Sequence, residues 1–352
     1  PVGAEGVSLA EDATGSGGGQ DHRLYRRQEQ AELTTRPGDH APRIYFAAGR
    51  VAGKTALLTL ILAASAIGAR AQEIEPRAYS NTPIGVNFLI VGYGYAEGGL
   101  VTDPSLPLQD ANLRTHSTVF AYARSLDAWG QSGKFDLIVP HAWLSGTAEF
   151  AGQPREREVS GFGDLRLRLS LNLYGAPALS LQEFASYQQD LIIGASVQVS
   201  VPIGQYDASK LVNIGTNRWF VKPEIGLSKV WGPWTLELAT AATFFGDNDD
   251  FLNGKTREQD PTYSVQGGLI YGFRNGVWVA LNGTYFTGGR TTVDGVEGDD
   301  LQKNSRAELT VALPINRHNS VKLYANTGIS TRTGTDFNAA GILWQYRWGG
   351  GL

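Results

Sequence analysis

The sequence predicts an all-β fold: a transmembrane, antiparallel, up-and-down β-barrel of about 12 strands, preceded by a signal peptide. Three observations lead to this prediction. Segments with an apolar residue at every second position recur along most of the chain, tight turns alternate with longer polar loops, and a short apolar run with a cleavage-site pattern precedes the first such segment. Charged residues make up only 18% of the chain, below the roughly 25% of soluble globular domains.

Residues 1–50 are rich in Gly, Ala, Arg, Glu and Gln and have no sustained hydrophobic period. We therefore expect them to be disordered or not to be part of the natural protein. Val51 lies directly ahead of the export signal, and we expect translation to start there from a non-ATG codon.

A signal peptide is predicted at residues 51–71. Arg50 and Lys54 are its basic flank, and residues 55–67 form an apolar run. The cleavage site is predicted at Ala69 and Ala71, with Gln72 as the mature start. A membrane anchor needs about 20 apolar residues, so this run is too short for one. We expect export, with residues 72–84 forming a periplasmic segment ahead of the barrel.

The barrel is predicted at residues 85–348, with 349–352 as a tail. The clearest alternation is in Leu165–Leu173, where every odd position is Leu and every even position is polar. Strands are predicted at 85–96, 112–126, 134–148, 161–174, 189–203, 217–231, 233–246, 261–273, 276–288, 303–314, 319–332 and 336–348. These segments are long enough to cross a bilayer, whereas strands of soluble sandwiches or propellers average about 5–6 residues.

The connections also favour a membrane barrel. Tight turns at 231–234, 273–276 and 316–319 alternate with the longer polar segments 97–111, 149–160, 204–216, 247–260 and 289–302. Short turns on one side and long loops on the other are typical of outer-membrane barrels. Segment 175–188 departs from this pattern, because it is long and falls on the side of the short turns. Aromatic residues near strand ends fit interfacial girdles. They are Trp219, Trp231, Trp234, Trp344, Tyr346 and Trp348.

The charged residues within strands decide which face meets lipid. An Arg on the lipid face at mid-membrane costs about 2–4 kcal/mol, so Arg166 and Arg168 must face the lumen and the Leu row must face lipid. The same reasoning predicts the full pore-lining set. It consists of Arg166, Arg168, Lys222, Glu224, Glu237, Arg306, Glu308, Lys322 and Arg332. Two roles stay open: an ion-pair network that braces the wall, and charges that select or orient a permeating solute.

The predicted strand number limits the width of the lumen. Eight strands leave an interior filled by side chains, and 16–18 strands leave an open aqueous channel. About 12 strands therefore predict a narrow channel or a small-molecule cavity. Residues 72–84 or an infolded loop could plug it.

No motif predicts an enzyme, a cofactor or a metal site. Without cysteine there is no thiol nucleophile or thiolate ligand, and the net charge of −4 gives no reason to expect nucleic-acid binding. The acidic runs 247–250 and 299–300 fit solvated loops better than a cation site. An outer-membrane phospholipase is the enzyme alternative, and His318 and Ser320 are its closest pair. A structural or adhesive barrel without transport is a further alternative.

Two groups of residues carry a family resemblance. The first is the run 161–168 (GFGDLRLR), continued by 172–179 (NLYGAPAL), and the second is 201–206 (VPIGQY) with 213–215, 217–219 and 222–224. Together they resemble the Putative MetA-pathway of phenol degradation family, over roughly residues 80–348. The resemblance implies an outer-membrane, transporter-like barrel for small aromatic or hydrophobic solutes. The implied partners are outer-membrane lipid, lipopolysaccharide and the solute, and oligomeric state stays open.

Overall fold

The computed structural model describes residues 75–101, 108–150 and 153–352. The predicted extension 1–50, and the predicted signal peptide with its cleavage residues Ala69, Ala71 and Gln72, lie outside the described residues. Among the residues that are described, no helix is long and apolar enough to span a membrane.

Twelve antiparallel strands close into a barrel. The first strand, β1 Val86–Val101, pairs with β2 Leu108–Ala128 on one side and with the last strand, β17 Gly334–Gly349, on the other. The predicted all-β, up-and-down barrel of about 12 strands is therefore confirmed. The wall consists of β1 Val86–Val101, β2 Leu108–Ala128, β3 Gln131–Phe150, β5 Leu165–Tyr174, β6 Leu191–Val201, β7 Phe220–Trp231, β8 Trp234–Phe245, β11 Thr262–Gly272, β12 Trp278–Gly288, β15 Gln302–Pro314, β16 Asn319–Ser330 and β17 Gly334–Gly349.

Strand β4, Gln153–Phe162, extends the wall above β5. It pairs with the second half of β3, while β5 pairs with the first half. The break falls at Gly163 and Asp164, beside Pro140, which has no N–H to donate to the ladder. The prediction of a loop at 149–160 is wrong. Its charges suggested a loop, but both faces of a strand meet water once it has passed beyond the bilayer.

A second correction concerns the loops 247–260 and 289–302, which are not irregular. They contain four short strands that form a separate sheet on the side of the long loops. These strands are β9 Asn248–Phe251, β10 Lys255–Gln259, β13 Thr291–Val293 and β14 Val296–Glu297. Their pairing satisfies backbone groups that a polar loop would leave to water. The strands are two to five residues long, too short for an alternating pattern to show.

The long connection on the short-turn side is ordered by its own hydrogen bonds. It contains one helical turn, α1 Leu181–Phe184, where the side chain of Ser180 accepts from the Glu183 N–H and Glu183 bonds back to Ser180. The Ala178 N–H donates to Gly130 and the Ile84 N–H donates to Leu179, at 3.0 and 2.9 Å. These bonds hold the β2–β3 turn and the chain just before β1 against the connection. We call this connection, residues 175–190 between β5 and β6, the ledge.

The two faces of each wall strand differ in burial as the alternation requires. On β7, Val221 and Ile225 are 41% and 51% exposed, whereas Lys222 and Glu224 between them are each 8% exposed. The exposed apolar row is the one that meets lipid, and the buried polar row faces the lumen. Exposed tryptophans stand near both ends of this outward band. They are Trp129, Trp143, Trp219, Trp231, Trp234, Trp344 and Trp348.

Candidate functional site

A cluster of paired charges lies on one side of the lumen, centred on Arg168. Its Nη2 is 3.0 Å from Glu224 Oε1, its Nη1 is 3.1 Å from Glu75 Oε2, and its Nε donates to Ser196 Oγ at 3.2 Å. Lys222 Nζ lies 3.2 Å from the other oxygen of Glu224. Three of the predicted residues, Arg168, Lys222 and Glu224, therefore meet in one network.

The network continues onto β3 through residues that the sequence analysis did not single out. Lys134 Nζ lies 3.6 Å from Glu75 Oε1 and 3.5 Å from Asp136 Oδ1. The sequence does contain the pattern that predicts their inward position, because Lys134 and Asp136 alternate with the apolar Phe135 and Leu137. The facing argument used for Arg166 and Arg168 places them inside as well.

The other predicted residues lie elsewhere on the inward face. Arg166 and Glu308 are each 8% exposed, and Glu308 accepts a hydrogen bond of 2.8 Å from the Thr310 hydroxyl. Arg306 Nη2 donates to the Phe337 carbonyl at 2.6 Å, across two strand boundaries. Glu237 accepts the Arg77 N–H at 2.7 Å. These contacts spread over β5, β8 and β15 and do not converge on one point.

Lys322 has a different environment from the paired charges. Its Nζ is 5.9 Å from the centre of the buried Trp278 ring, and Arg77 Cζ is 5.7 Å from the same ring. Both distances are in the cation–π range. Trp278 therefore links Lys322 on β16 to the segment ahead of β1.

Arg332 is set apart from the others by position. The predicted strand end at 332 is two residues too far, since β16 ends at Ser330. Arg332 lies in the connection to β17, where its Nη2 is 2.7 Å from Asp299 Oδ1 and its Nη1 donates to the Leu301 carbonyl. These contacts tie together two loops on the side of the long loops.

The segment Glu75–Gly85 occupies the lumen on the side of the short turns. Besides Glu75 and Arg77, it contributes Tyr79, whose hydroxyl donates to Glu224 Oε1 at 2.8 Å. Asn81 Nδ2 donates to the Pro177 carbonyl in the ledge at 3.1 Å. Lys134 and then Arg168 hold the pKa of Glu75 at about 2, from an ordinary value near 4.5, although burial opposes this shift. The segment is thus bound to the wall by charge as well as by packing.

A second insertion comes from the β6–β7 connection, residues 202–219, and it is fixed at the β4–β5 break. The Asp164 carboxylate accepts from the Gly204 N–H at 3.0 Å, and from the Thr216 N–H and hydroxyl at 2.8 and 2.7 Å. The Gln205 N–H donates to the Phe162 carbonyl at 2.7 Å. These hydrogen bonds therefore join the two parts of the chain that carried the family resemblance. We call this cluster, made of Phe162, Asp164, Gly204, Gln205 and Thr216, the knot.

From this knot the connection crosses the lumen. Val212 packs against a cluster made of Ala96, Leu113, Phe337 and Ala339, on β1, β2 and β17. Its backbone carbonyl also accepts from Arg157 Nε on β4 at 3.1 Å. Since residues 202–219 start and end at β6 and β7, a contact with β1 and β17 requires them to fold into the barrel.

The wall that Val212 meets is apolar. Inward positions from Phe88 to Gly98, from Leu113 to Ser125 and from Phe337 to Gln345 carry no charged side chain. Gly92 has almost no room for a side chain, because a Cβ there would lie 2.7 Å from both Leu343 and Val119. The β17–β1–β2 side of the lumen is therefore an uncharged and mostly apolar surface that faces the charged wall of β5–β8. Its polar inward residues are Thr115, Ser117, Ser125 and Gln345.

Two small cavities flank the lumenal segment. One is lined by Tyr79, Ala239 and Asn282 on the β8–β12 side. The other is lined by Phe88, Ser132 and Lys134 on the β1–β5 side. At this level of the lumen the segment leaves a small space on each of its two sides.

The candidates for a metal site and for catalysis are the acidic loop residues and His318. The described ranges hold no group of three or more His, Asp or Glu side chains placed to bind a metal. Asp300 accepts from the Thr291 N–H and hydroxyl at 2.8 and 2.6 Å, so its loop contacts are internal. His318 Nδ1 is 3.0 Å from the Arg347 carbonyl, in the β15–β16 turn, and makes a structural contact there.

Comparison with protein families decides the assignment. The model of the family described as Putative MetA-pathway of phenol degradation matches residues 94–346. The chain belongs to this family. The resemblance inferred from the motifs is thereby confirmed, and with it the outer membrane as the location and the non-enzymatic class. For this phenol-degradation family member, a comparison with curated protein sequences gave no match.

Solved structures agree on the fold of this family member. The COG4313 outer membrane channel from Pseudomonas putida F1 superposes with a TM-score of 0.67 at 22% identity, covering 78% of this chain and 100% of that one. The CymD monoaromatic hydrocarbon channel has a TM-score of 0.42 at 10% identity, covering 81% and 94%. The likeness to the COG4313 channel shows the barrel fold.

Proposed function

We propose that this protein is an outer-membrane channel for small aromatic or hydrophobic solutes. One observation carries the proposal: the lumen has an apolar wall on β17, β1 and β2 that runs opposite a wall of paired charges. Residues 75–85 and the connection 202–219 enter from opposite ends, so the path between the walls is narrow. Membership of the phenol-degradation family supports the same class of solute.

The two walls suit such a solute in complementary ways. Covering about 40–100 Å² of an aromatic ring against the apolar wall contributes about 1–2.5 kcal/mol. Binding of this size is strong enough to favour entry and weak enough to allow exit, which conduction requires. The charged wall borders the other side of the solute. Its charges cost little there, because Lys134, Arg168 and Lys222 are already paired with carboxylates.

The test is uptake by a deletion strain at a solute concentration low enough that crossing the outer membrane limits growth on an aromatic carbon source. We expect the wild-type gene to restore growth. Ala121→Glu, which puts a charge on the apolar wall, is expected to slow growth several-fold. Gln198→Glu, the same new side chain on the opposite wall, is its control and is expected to grow as wild type.

Equal growth of the deletion strain and the complemented strain on every aromatic compound would support the alternative of a structural or adhesive barrel. Growth that Ala121→Glu and Gln198→Glu reduce equally would contradict a role for the apolar wall in particular.

Two finer parts of the proposal concern the surroundings of the barrel. We infer that lipopolysaccharide contacts the outward band near the long-loop ends of the strands, where Trp143 and Phe162 are exposed. Copurification of lipopolysaccharide that decreases in Trp143→Ala would support this contact.

We infer too that export removes the chain up to Ala71. N-terminal sequencing of outer-membrane protein should then begin at Gln72, and peptides from residues 1–50 would contradict the inference.

A further inference from the structure

Two facing glycines leave one patch of the lumen wall without side chains, and a single aromatic ring covers this patch. Gly194 on β6 stands directly opposite Gly226 on β7. The ring of Tyr79 lies across both, with one edge on each glycine. A Cβ at Gly194 would be 2.9 Å from Tyr79 Cε1, and one at Gly226 would be 2.9 Å from Cδ2. Either side chain would displace the ring, so the patch is shaped for a flat six-membered ring.

The rest of the ring's surroundings are small and apolar. Ala176, Ile192 and Ala239 pack with Tyr79, which is only 3% exposed. These residues come from the ledge, β6 and β8, so three parts of the chain enclose the slot. We call this space, bounded by Gly194, Gly226, Ala176, Ile192 and Ala239, the ring slot.

The polar end of the ring slot offers one acceptor. The Tyr79 hydroxyl donates to Glu224 Oε1, and Arg168 and Lys222 hold the same carboxylate on its other sides. Burial first, and the neighbouring carboxylate next, raise the pKa of the Tyr79 phenol, which keeps its O–H available as a donor. An aromatic ring with one O–H donor is thus the complement of the slot, and this is the structure of a phenol.

Tyr79, which fills the ring slot in this structure, belongs to the segment Glu75–Gly85 and not to a wall strand. Tyr79 is five residues ahead of Ile84, which the ledge holds, so the side chain can leave the slot without disturbing any strand pairing. The small pocket on the β8–β12 side is lined by Tyr79 itself, so displacement of the ring would join this pocket to the ring slot.

We propose that the ring slot is a phenol-binding subsite of the permeation path, with Tyr79 as its built-in occupant, so that a phenolic solute which enters the slot releases the segment Glu75–Gly85. This inference rests on the proposed function, which it narrows from aromatic solutes to phenols at this point of the path. A tethered side chain competes with an effective concentration on the order of millimolar. A free phenol should therefore displace the Tyr79 side chain when its own concentration is also on the order of millimolar.

The first test is binding to purified Tyr79→Ala barrel in detergent, measured by calorimetry. This change removes the ring and its hydroxyl but keeps the Cβ, so it empties a space the size of phenol, and p-cresol is the analogue of the whole tyrosine side chain. We expect p-cresol to bind Tyr79→Ala at least about tenfold more tightly than wild type, because the tethered competitor is gone. We expect 4-methylanisole, which keeps the ring and the oxygen but has no O–H, to bind about 10–100-fold more weakly than p-cresol.

Adding Gly226→Ala to Tyr79→Ala should abolish p-cresol binding, because the new Cβ takes the place of a ring edge. Gly283→Ala is the matched control, since its Cβ would meet nothing nearer than the Arg306 carbonyl at 3.8 Å. Equal binding of p-cresol and 4-methylanisole to Tyr79→Ala, or p-cresol binding that survives Gly226→Ala, would overturn the subsite. The comparison of the two ligands needs only the single variant, so it remains decisive if Gly226→Ala does not fold.

Release is tested on wild type in planar bilayers. We expect the conductance to rise with p-cresol at millimolar concentration and to stay unchanged with 4-methylanisole. A wild-type conductance that p-cresol does not change overturns release, even if p-cresol binds Tyr79→Ala. Failure of the proposed function gives a different result, namely no growth difference between deletion and complemented strains while O–H-selective binding to Tyr79→Ala persists.

Discussion

Arg168 and Leu169 are adjacent residues with opposite surroundings, and their contrast is the basis of the barrel at the scale of single residues. Arg168 bonds to Glu75, Glu224 and Ser196 inside the lumen, while Leu169 is 46% exposed on the outward face. The cost of a charge in lipid is sufficient to predict this facing from sequence. The contact of Arg168 with Glu75 was not predictable, because Glu75 lies in a segment without alternation and meets the wall only in the folded chain.

Leu169→Arg should impair assembly of the barrel. A charge on the outward face at mid-bilayer costs about 2–4 kcal/mol, a large fraction of a typical total stability of about 5–15 kcal/mol. Heat-modifiable gel migration should show a reduced folded fraction, and Leu169→Val is the control that keeps the face apolar. A fully folded Leu169→Arg barrel would contradict the facing.

Arg168→Ala should leave the barrel folded and raise its single-channel conductance. The change leaves three carboxylates, on Glu75, Asp136 and Glu224, with only Lys134 and Lys222 as cationic partners. A buried charge left in excess costs up to about 3–5 kcal/mol, which undocking of the segment with Glu75 relieves. The control is Arg114→Ala, which breaks the exposed pair with Glu97 at 3.2 Å, a contact worth at most about 1 kcal/mol. If both variants conduct alike, Arg168 does not hold the segment.

At the scale of elements, the two insertions into the lumen depend on different kinds of contact. The segment Glu75–Gly85 is held by charge and by the Tyr79 ring, whereas residues 202–219 are held by the Asp164 knot and by Val212. A plug from residues 72–84 or from a loop was predicted, and the described residues 75–84 and the connection 202–219 both enter the lumen. The knot was not predictable, because Asp164 and Thr216 are far apart in the chain and have no shared pattern.

Asp164→Asn should loosen the connection 202–219. An amide has one acceptor oxygen where the carboxylate has two, so the bonds from Gly204 and Thr216 cannot all persist, and charge-assisted bonds are roughly twice as strong as neutral ones. Trypsin cleavage after Lys210 should become faster, as followed by mass spectrometry. Asp249→Asn, in the neighbouring strand β9, should be cleaved at the wild-type rate. Unchanged cleavage of Asp164→Asn would contradict the knot.

The docking of the segment Glu75–Gly85 should weaken in acid. Because the docked pKa of Glu75 is about 2 against an ordinary 4.5, docking is fully stabilised above about pH 4.5 and weakens as the pH falls toward 2. Conductance should rise over this interval. Glu75→Gln should conduct more at neutral pH and rise less on acidification. An identical pH profile for both proteins would exclude Glu75 as the titrating group.

At the scale of the whole molecule, the alternation along the chain predicted the closed barrel, its strand number and its lipid face. The alternating wall was predictable because lipid imposes a severe penalty on misplaced charge at every strand. The hairpin β3–β4 and the small sheet β9, β10, β13 and β14 were missed because they lie where water meets both faces and no such penalty applies. The asymmetry of the lumen was also missed, since it emerges only when β17 closes on β1.

Single-channel recording in planar bilayers, with solute added to one side, tests most directly whether aromatic solutes pass along the apolar wall. We expect toluene to produce brief interruptions of the ion current whose frequency rises in proportion to its concentration, and we expect Ala121→Glu to suppress them. Methylcyclohexane and glucose serve as an apolar control and a polar control of similar size. A current that toluene leaves unchanged, or that glucose interrupts equally often, would contradict passage of aromatic solutes through this lumen.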